Sequence, residues 1–138
     1  MHKITWKGGM SFKAENENGA SIIMDAYSQH GGEGKGPAPM EVFLHSLGGC
    51  TGMDVVSILN KMREPIEEFY LEIDSERAPE HPKVYKKVNI KFVFKGNLDP
   101  NKVKKAINLS ADKYCSVTAM LRKTAEVNID YEILPSDK

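Results

Sequence analysis

From Val42 to Asn60 the chain carries a single formal charge, Asp54. Val55, Ile58, Leu59 and Met62 follow the i, i+3, i+4, i+7 spacing of a helix face. The spacing predicts one long helix opening at Pro39 and ending near Met62-Arg63, before Pro65. Proline is favourable at a first helical position because its missing N–H has no partner there anyway. Glu41 falls in the first turn, where a negative charge meets the positive end of the helix dipole. A helix so apolar must be covered on most of its faces. Such a helix is roughly 34 Å long. A compact chain of 138 residues is only about 35–40 Å across, from a radius of gyration of about 14 Å. One small subunit would have difficulty surrounding it, so the expectation is a homodimer with this helix near its interface.

The flanking sequence reads as α+β. Ile4 and Trp6 alternate with polar neighbours. Residues 11–17 and 20–26 flank Asn18-Gly19, a hairpin signal. Four glycines and two prolines between Gly31 and Pro39 predict a flexible loop. After the long helix, Phe69, Leu71 and Ile73 mark a half-buried strand, and Val88, Ile90, Phe92 and Phe94 another, expected to pair antiparallel. Asp99-Pro100 is an N-cap followed by proline at N1, opening a helix with Val103, Ala106, Ile107 and Ala111 on its apolar face. Ser116 is read as the cap of a short helix through Leu121. Val127, Ile129, Tyr131 and Ile133 close the chain as a strand. The order is βββ-α-ββ-α-α-β. Strands that cluster in this way, rather than alternate with helices, indicate α+β, and the length suits one domain over residues 1–138.

Several functional classes recede on composition. Nineteen basic and nineteen acidic residues give zero net charge, so the basic field that draws nucleic acid or an anionic membrane is missing. The longest run free of Asp, Glu, Lys and Arg in the apolar segment, Val42–Met53, is twelve residues, short of a bilayer span. The N-terminal residues lack the apolar core of a signal peptide. The expected setting is the cytoplasm, where two cysteines are seldom a structural staple.

Those cysteines carry the chemical interest. Cys50 sits in Leu47-Gly48-Gly49-Cys50-Thr51-Gly52-Met53-Asp54. Three helical glycines forfeit roughly 2–3 kcal/mol of propensity. Either they admit a closely packed neighbour around an inert buried thiol, or they clear space above the thiol for a substrate. Cys115, in Lys113-Tyr114-Cys115-Ser116, precedes a new helix, whose positive end favours thiolate. Sixty-four residues lie between the two cysteines, so spacing alone does not bring them together. Metal binding is not expected: His45, Cys50 and Asp54 lack a standard zinc spacing, and there is no CxxC or HExxH. The glycine loop around Lys35 is not a P-loop, because residue 36 is Gly where Ser or Thr is required.

Gly36-Pro37-Ala38-Pro39-Met40-Glu41, Leu47-Gly48-Gly49-Cys50-Thr51-Gly52-Met53-Asp54-Val55-Val56 and Lys113-Tyr114-Cys115-Ser116-Val117-Thr118-Ala119-Met120-Leu121 together resemble the OsmC-like family of osmotically inducible and organic hydroperoxide resistance proteins. The resemblance implies an intertwined homodimer, with long central helices packed between antiparallel sheets and active sites at the subunit interface. It implies a cofactor-free, thiol-dependent peroxidase acting on organic hydroperoxides. Cys50 matches the peroxidatic cysteine and Cys115 the resolving one, with a dithiol reductant restoring both thiols. The family's thiolate-stabilising pair is an N-terminal arginine and a glutamate directly after the helix-start proline. Here no arginine precedes Arg63. Met40 follows Pro39, which leaves Glu41 one position late, about 100° around the helix. Lys35 is a candidate substitute for the arginine. Asp54, one turn after Cys50, opposes a thiolate if adjacent, or orders a cationic activator. The alternative is a non-catalytic or redox-sensing relative that binds an apolar small molecule in the interfacial pocket.

Overall fold

The computed structural model describes all residues from Met1 to Lys138. Six strands and three helices run in the expected order: β1 (Lys3–Trp6), β2 (Phe12–Glu15), β3 (Ser21–Met24), α1 (Pro39–Lys61), β4 (Glu68–Arg77), β5 (Tyr85–Lys95), α2 (Pro100–Leu109), α3 (Ser116–Leu121) and β6 (Glu126–Leu134). The chain divides into two compact units, residues 1–45 and 46–138.

In the first unit, β1, β2 and β3 form an antiparallel meander. Gly19 turns the second hairpin at φ +85°, a conformation that favours glycine. In the loop after β3, Gly31 and Gly34 take positive φ, and Gly32 and Gly36 allow close approach. A Cβ on Gly32 would lie 1.8 Å from the Ala26 carbonyl oxygen, and one on Gly36 2.2 Å from that of Ile23. The buried Asp25 carboxylate gathers this loop. One oxygen accepts from the Ala26 N–H at 2.7 Å; the other accepts from Glu33 and Lys35 N–H at 3.3 and 3.0 Å.

The second unit is built on a three-stranded sheet in the order β4-β5-β6. The β4–β5 pairing is antiparallel, as the alternation predicts, with Phe69 opposite Phe94 and Ile73 opposite Ile90. The sheet is nonetheless mixed, because β6 runs parallel to β5. A parallel pair needs a crossover connection, and here the crossover contains both α2 and α3. Phe92 and Phe94 are fully buried, and the Phe69 and Phe94 rings stack with centroids 4.5 Å apart. The opposite sheet face is charged, with Lys91 on β5 paired to Glu132 on β6 at 3.0 Å.

Helix α1 starts at Pro39 as expected. The Glu41 carboxylate reaches back to accept the Ala38 N–H at 2.9 Å, one half of a capping box. The helix ends in a Schellman arrangement. Arg63 takes φ +59°, and the Arg63 and Glu64 N–H groups return to the Asn60 and Leu59 carbonyls. Its buried side chains form one stripe, Leu47, Thr51, Val55 and Leu59, where the sequence demanded cover on most faces. Met53 is 76% exposed and Val56 also faces solvent. By length and composition alone α1 passes as apolar enough to cross a membrane, a test that the core helix of a soluble protein also meets. Its packing against β4 nevertheless ties it to the sheet.

The backbone N–H of Lys35 is the largest influence holding the Asp25 carboxyl below the usual carboxylate range, followed by that of Ala26. A depressed folded-state value contributes stability that is present above the ordinary carboxylate range and lost as pH falls through and below about 4. Asp25→Asn is expected to lower the melting temperature at pH 7 and to flatten its decline between about pH 5 and 3, as measured by thermal denaturation followed by circular dichroism.

Candidate functional site

Cys50 and Asp54 lie one turn apart on α1, so their side chains leave the same face. The glycines around them play different parts. A Cβ on Gly48 would come 3.2 Å from Ile73 Cδ1, and one on Gly52 3.4 Å from Leu71 Cδ1. These two glycines let β4 side chains press on the helix, the closely packed neighbour that the first reading of the motif expects. At Gly49, the residue before Cys50, no atom outside its chain neighbours and the adjacent helix backbone lies within 4 Å of where a Cβ would stand. Close packing is therefore present at Gly48 and Gly52, and Gly49 faces open space.

Cys115 reaches the same place from the crossover. Helix α2 opens as expected, with the Asp99 side chain accepting from Asn101 N–H and Pro100 in the first turn. It does not run on regularly past Leu109. Residues Ser110–Tyr114 form a π-helical turn, closed by the Cys115 N–H donating to the Ser110 carbonyl at 2.8 Å. Such wider turns occur often at functional sites. Ser116 is the first residue of α3 and not its cap. The cap is Cys115, whose Sγ accepts from the Thr118 N–H at 3.4 Å. Arg122 steadies the turn by donating to the Ala111 carbonyl at 3.0 Å and to Asp112 at 3.2 Å.

The two sulfurs and one Asp54 carboxylate oxygen lie within 4.8 Å of one another. Ser110 Oγ donates to Asp54 Oδ2 at 2.9 Å and lies 2.8 Å from Thr51 Oγ1. A hydroxyl has one proton to give, so Thr51 donates to Ser110 and Ser110 to Asp54. Thr51 and Ser110 are both buried. The sequence reading missed this hydroxyl chain. Thr51 flanks Cys50 in the motif, but nothing in the order of residues signals that Ser110 faces it.

Burial pushes the Cys115 thiol up, and the neighbouring Cys50 adds to that, against the lowering effect of the Thr118 hydrogen bonds. The helix-end effect expected to favour a thiolate at Cys115 is therefore outweighed. Cys115 is a thiol near neutrality, only 3% exposed, whereas Cys50 is half-buried. One Asp54 carboxylate oxygen is adjacent to both sulfurs.

The other two candidate residues have local partners within residues 1–45. The Lys35 ammonium pairs with Glu33 at 3.2 Å, both side chains being exposed. Glu41 caps α1, and a Tyr27 hydrogen bond, followed by that of the Ala38 N–H, holds its carboxyl below the usual range.

The profile of OsmC-like proteins matches residues 32–130. The protein YhfA of Escherichia coli K12 is 38% identical over 133 residues, covering 96% of each chain. A crystal structure of a hypothetical protein from Aquifex aeolicus superposes with a TM-score of 0.86 at 31% identity, over 98% of this chain and 96% of that one. An organic hydroperoxide resistance protein OsmC from Legionella pneumophila superposes with a TM-score of 0.70 at 16% identity, over 96% of each chain, a likeness of fold alone.

Iodoacetamide applied to the reduced protein at pH 7 is expected to label Cys50 well before Cys115. Labelling of Cys115 should accelerate only above the ordinary thiol range of about 8.5, as followed by peptide mass spectrometry across pH.

Proposed function

The chain belongs to the OsmC-like family, and on that premise we propose that it reduces organic hydroperoxides through Cys50 and Cys115. The observation that carries the reading is the approach of the two sulfurs, within 4.8 Å, from elements far apart in sequence. Some of the related structures are of organic hydroperoxide resistance proteins, which supports the same substrate class here.

Half-buried and beside the open space at Gly49, Cys50 is the nucleophile. Its thiolate attacks the distal peroxide oxygen, the O–O bond breaks, and the alkoxide leaves as the alcohol after taking a proton. Cys50 is then a sulfenic acid. The Cys115 sulfur attacks the Cys50 sulfur, its proton goes to the departing hydroxide as water, and a disulfide forms. Because burial keeps Cys115 protonated near neutrality, its attack requires the proton to leave as the S–S bond forms. Asp54, oriented by Ser110, is the carboxylate placed to receive that proton in transit. A dithiol reductant then attacks the disulfide, leaves as its own cyclic disulfide, and restores both thiols by exchange. No cofactor enters the cycle. The setting is the cytoplasm, where thiols are kept reduced, and residues 1–138 act as one OsmC-like domain.

Cys50→Ser is expected to abolish consumption of cumene hydroperoxide with dithiothreitol, at least 100-fold below wild type. In Cys115→Ser, given one equivalent of hydroperoxide with dithiothreitol removed, a sulfenic acid should persist at Cys50 and be trapped by dimedone. Wild-type turnover in Cys50→Ser would overturn the reading and favour an apolar-ligand or redox-sensing role.

The exposed Met53 and Val56 on α1 support a homodimer in which a second copy covers this face. Sedimentation equilibrium at micromolar concentration should give a mass twice 15.4 kDa, and Met53→Lys should shift it toward the monomer.

A further inference from the structure

We propose that the reduced site also holds a soft divalent cation of the zinc class, with Cys50 Sγ, Cys115 Sγ and one Asp54 carboxylate oxygen as its three protein ligands. No zinc signature is visible in the order of residues because the three ligands come from two elements. Cys50 and Asp54 are one turn apart on α1, and Cys115 arrives from the junction between α2 and α3 in the crossover.

The donor set fits the chemistry. Zinc takes thiolate sulfur at about 2.3 Å and carboxylate oxygen at about 2.0–2.2 Å in tetrahedral geometry. Ligand atoms around such an ion stand roughly 3.5–3.8 Å apart. The three donors here lie within 4.8 Å of one another, so closure onto an ion needs only a small contraction. Three protein ligands leave a fourth position for water or another ligand.

The supporting groups fit as well. A ligating carboxylate is normally fixed by an outer hydrogen bond, and here Ser110 Oγ holds Asp54 Oδ2 at 2.9 Å with Thr51 behind it at 2.8 Å. Both hydroxyls are buried, at 0% and 2% exposure. Cys115 is anchored from both sides, by its own N–H on the Ser110 carbonyl and by the Thr118 N–H on its sulfur.

The donor charges suit a cation. Two thiols and a carboxylate converge within 4.8 Å, while Arg122 is engaged with Ala111 and Asp112, and the Lys113 ammonium lies over the Tyr114 ring. A divalent cation displaces the thiol protons and offsets the charge of the thiolates so formed. With both sulfurs ligated, neither is a free nucleophile. Metal occupancy and hydroperoxide reduction then exclude each other at one site.

The test uses metal binding and so does not depend on the peroxidase reading. Full-length protein is reduced, stripped with a chelator and titrated anaerobically with Zn²⁺ against a chromophoric competitor, and separately with Co²⁺. One equivalent of Zn²⁺ per chain is expected, together with a thiolate-to-cobalt charge-transfer band in the near ultraviolet. Cys50→Ser should remove the band and weaken Zn²⁺ at least 100-fold. Ser110→Ala should weaken Zn²⁺ about 10–100-fold with the far-ultraviolet dichroism unchanged. Prior alkylation of Cys50 should abolish binding in otherwise native protein, which keeps the test valid should a variant misfold. Sub-stoichiometric Zn²⁺, binding that survives Cys50→Ser, or bound Co²⁺ without the charge-transfer band would each overturn the proposal.

Discussion

The hydrogen bond between Thr51 and Ser110 fastens the middle of α1 to the end of α2, and the placement of every reactive atom depends on it. It joins two buried hydroxyls, and the second continues to Asp54. Removing one member of a buried polar chain strands its partner at a cost of about 1–3 kcal/mol. The chain therefore fixes one relative position of helix and crossover. Cys50 is the residue before Thr51, and Cys115 is bonded through its own N–H to the Ser110 carbonyl. The sulfurs converge because both ride on residues that this link holds.

Much of the fold was legible because it is encoded locally. The β4 and β5 alternation predicts strands that pair antiparallel, and they do so with Phe69 against Phe94. Asp99-Pro100 predicts the start of α2, and Pro39 that of α1. The parts that were not legible are set by distant partners. Nothing in Glu126–Leu134 states whether it joins β5 parallel or antiparallel, because either choice buries the same alternate residues. The loop at Gly31–Pro39 has the composition of a mobile linker. Gly32 and Gly36 instead pass close to the Ala26 and Ile23 carbonyls, and the Glu33 and Lys35 N–H groups donate to the Asp25 carboxylate, contacts that reach back across several residues.

The same division holds at the site. The two cysteine motifs could be read from their neighbours, and Asp54 from its place one turn along α1. The helix cap could not be placed to the residue. Serine is the commoner cap, so Ser116 took the part that Cys115 fills. The difference matters chemically, because a capping side chain is directed back at the helix N–H groups. Ser110 was hidden for another reason. Its orientation comes from a wide turn that the α-helical pattern of Val103, Ala106 and Ile107 does not announce.

That wide turn makes the crossover sensitive to length. A π turn carries one residue more than the α turn it replaces. Losing one residue between Leu109 and Cys115 would restore regular α geometry and rotate the chain beyond it by about 100°, swinging the second sulfur away from the first. Residues 110–114 thus serve as a spacer of fixed count. Ser110 is fixed by its hydrogen bonds and Ala111 by burial, whereas the exposed side chains of Lys113 and Tyr114 leave room for variation; a deletion or insertion there would uncouple the two thiols even with both cysteines still present.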